Sequence, residues 1–234
     1  MNRKTFLATT SAAALILSGV APAMAQESTE ITPLTDYDAT QIEGAWSADN
    51  MRDADVMGED GDTVGYVQNL VMTPEGNISH VIIETDNWFD LADRAIAVPW
   101  DNVDLTPEEE GIMVPVDEDE MNDFSLFADD MTMATNGENY RASDVLDDYV
   151  TLDDGTGYGY VTDLIFDQSG ALQSVVVSPD MSFGGAADGL YAYPYYGTDF
   201  GYDPYSFEYN LRYDEGAVTD YQPFDYESVV GDSD

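Results

Sequence analysis

The sequence predicts an all-β protein with minor α content: two small β-barrels in tandem, joined by an acidic linker with helical periodicity. Three observations carry this. A strand–turn–strand unit occurs twice, 94 residues apart. Short runs of branched and aromatic residues alternate with turns rich in Gly, Pro and Asp. Finally, the chain is 44% apolar and 12% aromatic, enough for a core, although a formal charge of −42 would by itself indicate disorder.

The chain opens with Arg3 and Lys4, followed by an Ala-, Leu- and Ile-rich stretch over residues 5–25 that ends in Ala23-Met24-Ala25. A basic start, a short apolar stretch and an A-x-A end read as a signal peptide over 1–25, cleaved after Ala25. The expectation is a periplasmic or secreted protein without stable membrane insertion. The mature chain then carries four arginines and no lysine against all 48 acids, a charge of −44. Neutralising phosphates takes Lys and Arg, so nucleic acid is excluded as a partner, and anionic lipid is disfavoured. The chain has no cysteine, which removes disulfides, thiolate catalysis and Cys-bound metals.

Residues 26–50 are rich in Thr, Asp and Glu with little periodicity, and read as a disordered acidic lead-in. A first domain is expected over 51–116. In it, 64–72 is a strand, Thr73-Pro74-Glu75-Gly76-Asn77 a turn and 78–85 a second strand. Ala95-Ile96-Ala97-Val98 and Ile112-Met113-Val114 are brief strands beside prolines, as at a barrel rim.

The repeat lays residues 64–83 on 158–177 with six identities in twenty, and five further positions exchange one apolar residue for another. Gly65-Tyr66-Val67 meets Gly159-Tyr160-Val161, Leu70 meets Leu164, Gly76 meets Gly170 and Val81 meets Val175. Upstream, Asn50-Met51-Arg52-Asp53-Ala54-Asp55-Val56 echoes Asn139-Tyr140-Arg141-Ala142-Ser143-Asp144-Val145. Downstream, Ala97-Val98-Pro99-Trp100 echoes Ala192-Tyr193-Pro194-Tyr195. A small, short-stranded unit avoids exposed edges most readily by closing into a barrel.

These residues resemble the PRC-barrel domain family. The resemblance rests on Arg-Ala-Ser-Asp-Val-Leu at 141–146, a Gly-Tyr-Val strand leading into an Asp-Leu-Ile run, a Gly turn, a Val-rich strand and a terminal Val98-Pro99-Trp100. That family takes its name from the photosynthetic reaction-centre H subunit and includes the C-terminal half of a ribosome maturation factor. The second copy departs from the pattern by an insertion at 181–189 and by the Tyr193-Pro194-Tyr195 ending. The resemblance implies a binding or assembly module.

Between the copies, residues 117–138 form an acidic linker. There Met121, Phe124, Ala128 and Met131 recur at helical spacing, the pattern of a short amphipathic helix. The second domain, rich in tyrosine, is expected over 139–229, with a tail at 230–234.

No catalytic constellation emerges, and the chain reads as a non-enzyme without cofactors. His80 is the sole histidine, so metal or triad chemistry has no second imidazole, and a packed or solvated role is expected. No nucleophile elbow or phosphate loop is present. Asp53-Ala54-Asp55-Val56-Met57-Gly58 opens like an EF-hand loop but has Met57 at position five and Val64 at position twelve. Weak binding of Ca²⁺ or other cations is left to Glu59, Asp60 and Asp62, to Glu118-Asp119-Glu120, and to Asp153 and Asp154; Asp-Gly pairs there equally make hairpin turns. Ten of sixteen tyrosines lie between Tyr191 and Tyr226. The alternating Tyr191/Tyr193/Tyr195 and Phe207/Tyr209/Leu211/Tyr213 read as strands, and 196–205 as an exposed aromatic loop. Trp100, Tyr195, Tyr196, Tyr202 and Tyr205 are the interaction candidates. The expected function is an interaction or scaffolding module with a protein partner in the cell envelope. The alternative is an acidic cation-binding or envelope-stabilising protein.

Overall fold

The computed structural model describes residues 31–58, 61–85, 94–106, 111–114, 139–181, 189–198, 201–202, 206 and 208–230. The predicted signal peptide, the linker helix, Glu59, Asp60, Tyr205 and Phe207 lie outside the described residues.

The first copy contributes β1 (Trp46–Ser47), α1 (Ala48–Met51), β2 (Asp55–Met57), β3 (Thr63–Met72), β4 (Ile78–Thr85), β5 (Arg94–Pro99), β6 (Asp104–Thr106) and β7 (Gly111–Met113). The second contributes β8 (Tyr140–Arg141), α2 (Ala142–Val145), β9 (Tyr149–Thr151), β10 (Gly157–Phe166), β11 (Leu172–Pro179), β12 (Tyr191–Pro194) and β13 (Glu208–Asn210), then α3 (Glu215–Thr219) and α4 (Glu227–Val230).

Each long hairpin forms where the sequence expects it, and each turn closes alike. Gly76 N donates to Thr73 O and Gly170 N to Asp167 O, with φ of 88° and 80° respectively, a region that glycine enters without steric cost. Each hairpin also has one extra residue near its turn. Met72 faces Ile78 while Val71 faces His80, and Phe166 faces Leu172 while Ile165 faces Ser174. That bulge turns Ile78 and Leu172 into the core and leaves His80 half-buried on the other face, its Nδ1 3.2 Å from Ser79 Oγ.

The strands run β12-β11-β10-β9-β13 in one sheet and β5-β4-β3-β2-β7-β6 in the other. The final strands correspond as well: β7 lies parallel to β2, and β13 parallel to β9. Among the described residues neither sheet closes on itself, and the two copies are barrel-like units. What replaces closure is exchange between the copies. β1 of the first copy pairs with β10 of the second, Trp46 against Phe166 and Ser47 against Ile165. β8 of the second pairs with β3 of the first, Tyr140 against Met72 and Arg141 against Val71.

One continuous apolar cluster follows from that exchange. It contains Val67, Leu70, Val81 and Val98 together with Val161, Leu164, Val175 and Tyr193. The described residues from Ile31 onward accordingly form one compact unit, in which the two barrel-like copies share this core.

The exchange corrects two readings. Residues 31–50 are not a disordered lead-in: Leu34, Ala39, Ser47 and Ala48 are buried, and 46–51 is the strand-and-turn that completes the second copy. The upstream correspondence is also 94 residues, like the hairpins, placing Trp46–Met51 on 140–145 instead of Asn50 on Asn139. The backbone marks it: Asp53 and Asp147 share φ 68°, and their N–H groups donate to Val67 O and Val161 O, each at 2.9 Å.

Candidate functional site

The seam where the two hairpin turns meet gathers Trp46, Trp100, Phe166, Tyr140 and Tyr195. Asn77 and Ala171 face one another across an isolated antiparallel bridge. Ile78 N donates to Gly170 O at 2.8 Å and Leu172 N to Gly76 O at 3.0 Å. The aromatic residue that directly follows β5 or β12 then covers the other copy's turn. Trp100 Nε1 donates to Ser169 O at 2.9 Å, and Tyr195 OH to Pro74 O at 3.1 Å. A Cβ on Gly170 would lie 2.5 Å from Trp100 Nε1, and one on Gly76 2.5 Å from Tyr195 Cε1. The glycines are therefore required twice, by the turn and by the ring above it.

Behind these rings, Trp46 stacks on Trp100 at 5.6 Å and on Phe166 at 4.7 Å between centroids. On the opposite side Tyr140 takes the place of Trp46, meeting Tyr195 through their hydroxyls at 2.5 Å and Tyr202 ring to ring at 4.8 Å. Burial pushes the Tyr195 phenol up to about 12, and the Tyr140 phenol higher still.

Polar locks secure each exchanged segment at its helical turn. Asp163, 2% exposed, accepts from Ser47 Oγ (2.6 Å), Asp49 N (3.0 Å), Leu164 N (2.7 Å) and Tyr226 OH (2.6 Å). Burial raises its pKa, and those four donors oppose the shift. The first copy uses an amide at the same point: Asn69 Oδ1 accepts from Ser143 N at 3.3 Å, while Asn69 Nδ2 donates to Ser143 Oγ at 2.7 Å.

Beside the seam an open groove of about 500 Å³ runs between residues 38–43 and the second turn. Asp38, Gln41, Glu43, Asp167, Gln168 and Gln173 line it, and among the described residues its ionisable lining is entirely carboxylate. Trp46 Nε1, donating to Asp167 O at 2.8 Å, ties an indole to its wall.

The sequence-derived interaction residues are thus mostly engaged within the chain. Trp100 and Tyr195 are half-buried at the seam. Tyr196 OH receives a hydrogen bond from Thr32 N and lies 3.0 Å from Tyr213 OH. Tyr202 is 2% exposed and donates to Asp144 O, so it is a core residue, not part of an exposed loop. Tyr191 and Tyr193 are buried in β12, and Tyr209 in β13; Leu211 and Tyr213 are buried beyond that strand. The Tyr158 and Tyr193 hydroxyls pair at 2.6 Å, which satisfies both phenols inside the core. Of the cation candidates, Asp62 is exposed and accepts from Gly58 N through its backbone carbonyl, while Asp153 and Asp154 are exposed in the turn before β10. Asp154 Oδ1 accepts from Thr156 N at 2.9 Å, as in an Asx turn. Among the described residues, no three acidic or histidine side chains are grouped to hold a metal ion. Sequence reasoning missed Trp46, Ser47, Asn69 and Asp163, whose roles depend on a partner strand from the other copy.

The geometry defines a class: a tandem β-module with two interlocked halves, offering an acid-lined groove and no assembled reactive group among the described residues. The family model of the PRC-barrel domain matches residues 43–121 and 137–206, and the chain belongs to that family. The matched segments start 94 residues apart and include both exchanged strands. No curated protein matches the chain. Among solved structures it is similar to the 16S ribosomal RNA processing protein RimM of Pseudomonas aeruginosa, at 15% identity and a TM-score of 0.26, over 64% of this chain and 98% of that one.

Proposed function

We propose that this chain is an exported, non-enzymatic interaction or scaffolding module, whose protein partner in the cell envelope presents a basic segment to the groove between residues 38–43 and 167–173. One observation carries the reading: among the described residues, every ionisable side chain lining that groove, Asp38, Glu43 and Asp167, is an acid. In a chain of net charge −42, such a surface repels other acids and draws Lys- and Arg-bearing partners at long range. Membership of a family whose domains often serve as interaction modules supports the same reading. Export follows from the basic-then-apolar start of the sequence and its Ala23-Met24-Ala25 end.

The test places a photo-crosslinking residue at exposed Gln168 and irradiates intact cells. A discrete cross-linked partner that is lost in the double variant Asp38→Lys/Glu43→Lys is the expected result. Cross-linking unchanged by the charge reversal contradicts the groove as the site. Mass spectrometry of the envelope fraction is expected to find a mature chain starting at Gln26; a chain retained in the cytoplasm contradicts export.

A further inference from the structure

We infer that the seam is a self-recognition surface of the repeated unit, and that the partner it fits is a second copy of that unit, supplied here by the same chain. In a two-fold interface, contact of residue i with j implies contact of j with i. Here the rule holds across the 94-residue correspondence. Trp46 pairs with Phe166, and Tyr140 with Met72. Ile78 N bonds Gly170 O, and Leu172 N bonds Gly76 O. Asp49 N bonds Asp163, and Ser143 N bonds Asn69. The Asn77–Ala171 bridge lies at the centre, where a two-fold axis would pass.

Two finished domains that merely touch through a linker would not share strands, nor leave each other's helical turns to be capped. Each copy alone would expose the stretch of β3 or β10 edge that now accepts the other's strand. The seam's chemistry suits self-association of an acidic unit. Its contacts are aromatic stacking and neutral hydrogen bonds, and its one buried carboxylate, Asp163, is wrapped by four donors. No attraction between opposite charges is needed, and salt should strengthen the association by screening the two acidic copies from each other.

The test uses the full chain with a specific protease site inserted between residues 128 and 129, cleaved to completion. The cleaved protein is expected to elute as one particle of the intact chain's size, with its folded signal kept, and to hold together at lower protein concentration as salt is raised. Fragments that elute apart, or loss of the folded signal on cleavage, would overturn the inference. A second arm carries Gly170→Val, which sets a side chain against Trp100. At least tenfold weaker association after cleavage is expected, with the uncleaved chain still folded because the tether keeps the copies together. Association as tight as the parent's would likewise overturn it.

Discussion

The indole Nε1 of Trp100 hydrogen-bonds the backbone carbonyl of Ser169 at 2.9 Å, joining the residue after β5 of the first copy to the turn of the second. The contact is possible because the next residue, Gly170, has no Cβ and holds φ at 80°. Gly170→Ala is therefore predicted to cost about 1–3 kcal/mol, combining left-handed strain with displacement of the ring. Gly155, also at positive φ but with open space around its Cβ position, is the control. Chemical denaturation of both variants measures the difference, and equal losses would mean that Trp100 does not press on the turn.

Asp163 is predicted to act as a hydrogen-bond hub more than as a charge. The first copy has Asn69 at the corresponding place, so Asp163→Asn should change stability by less than about 1 kcal/mol. Asp163→Ala removes the side-chain acceptor of Leu164 N, Ser47 Oγ and Tyr226 OH, leaves Asp49 N only its bond to Ser47 Oγ, and should cost about 3 kcal/mol. Tyr226→Phe, removing one donor, should fall between the two. A ranking in which Asn is as damaging as Ala would show that the charge itself is needed.

Asp148 introduces a penalty that depends on pH. It is 6% exposed, its Oδ2 has no hydrogen-bond partner among the described residues, and burial, followed by the neighbouring Asp144 and Asp147, pushes its pKa up to about 6. A carboxyl whose folded pKa exceeds its unfolded value destabilises the fold only when ionised. The penalty is absent below about pH 4, grows as pH rises towards 6, and is constant above that. The first copy has Ala54 at this position, with its carbonyl bonded to Val67 N as that of Asp148 is to Val161 N. Asp148→Ala should therefore stabilise the protein by on the order of 2–3 kcal/mol at pH 8 and leave it nearly unchanged at pH 3.5. Equal effects at both pH values would rule out ionisation as the cause.

Salt should raise the melting temperature steeply. With 48 acids against six basic residues, most carboxylates have no cation to pair with, and Arg141–Asp144 at 2.7 Å exemplifies the few that do. The repulsion is screened as the Debye length falls from about 10 Å at 0.1 M to about 3 Å at 1 M. Thermal melts across that range give the answer. A flat profile would mean that the fold already spaces its charges well enough.

The hairpins were legible in the sequence because their information is local: a turn glycine, flanking strands, and apolar positions such as Leu70 and Val81 recurring as Leu164 and Val175. The exchange was not legible. Trp46 and Tyr140 share a position without sharing identity, and β1 and β8 are two residues long, too short to show a period. Identity therefore favoured the Asn50–Asn139 echo, five residues out of step with the backbone. The aromatic residues were legible as strand formers at Tyr191 and Tyr193. At Tyr202 composition misled, because a Gly-, Asp- and Pro-rich stretch can still direct a ring inward when Tyr140 and the Asp144 carbonyl await it. The acidic groove could not be read from sequence, since its walls come from segments about 125 residues apart.

The reciprocal exchange is tested most directly by a disulfide at its centre. Asn77 and Ala171 form a non-hydrogen-bonded antiparallel pair, a geometry with Cα atoms about 4.5 Å apart, within the range a disulfide spans. The chain has no other cysteine to confuse the result. In the Asn77→Cys/Ala171→Cys variant, air oxidation should give a single cross-link within one chain, seen by mass spectrometry as a peptide joining residues 77 and 171, in a protein that stays folded. Thiols that remain free in the folded protein, or that link only one chain to another, would contradict the account.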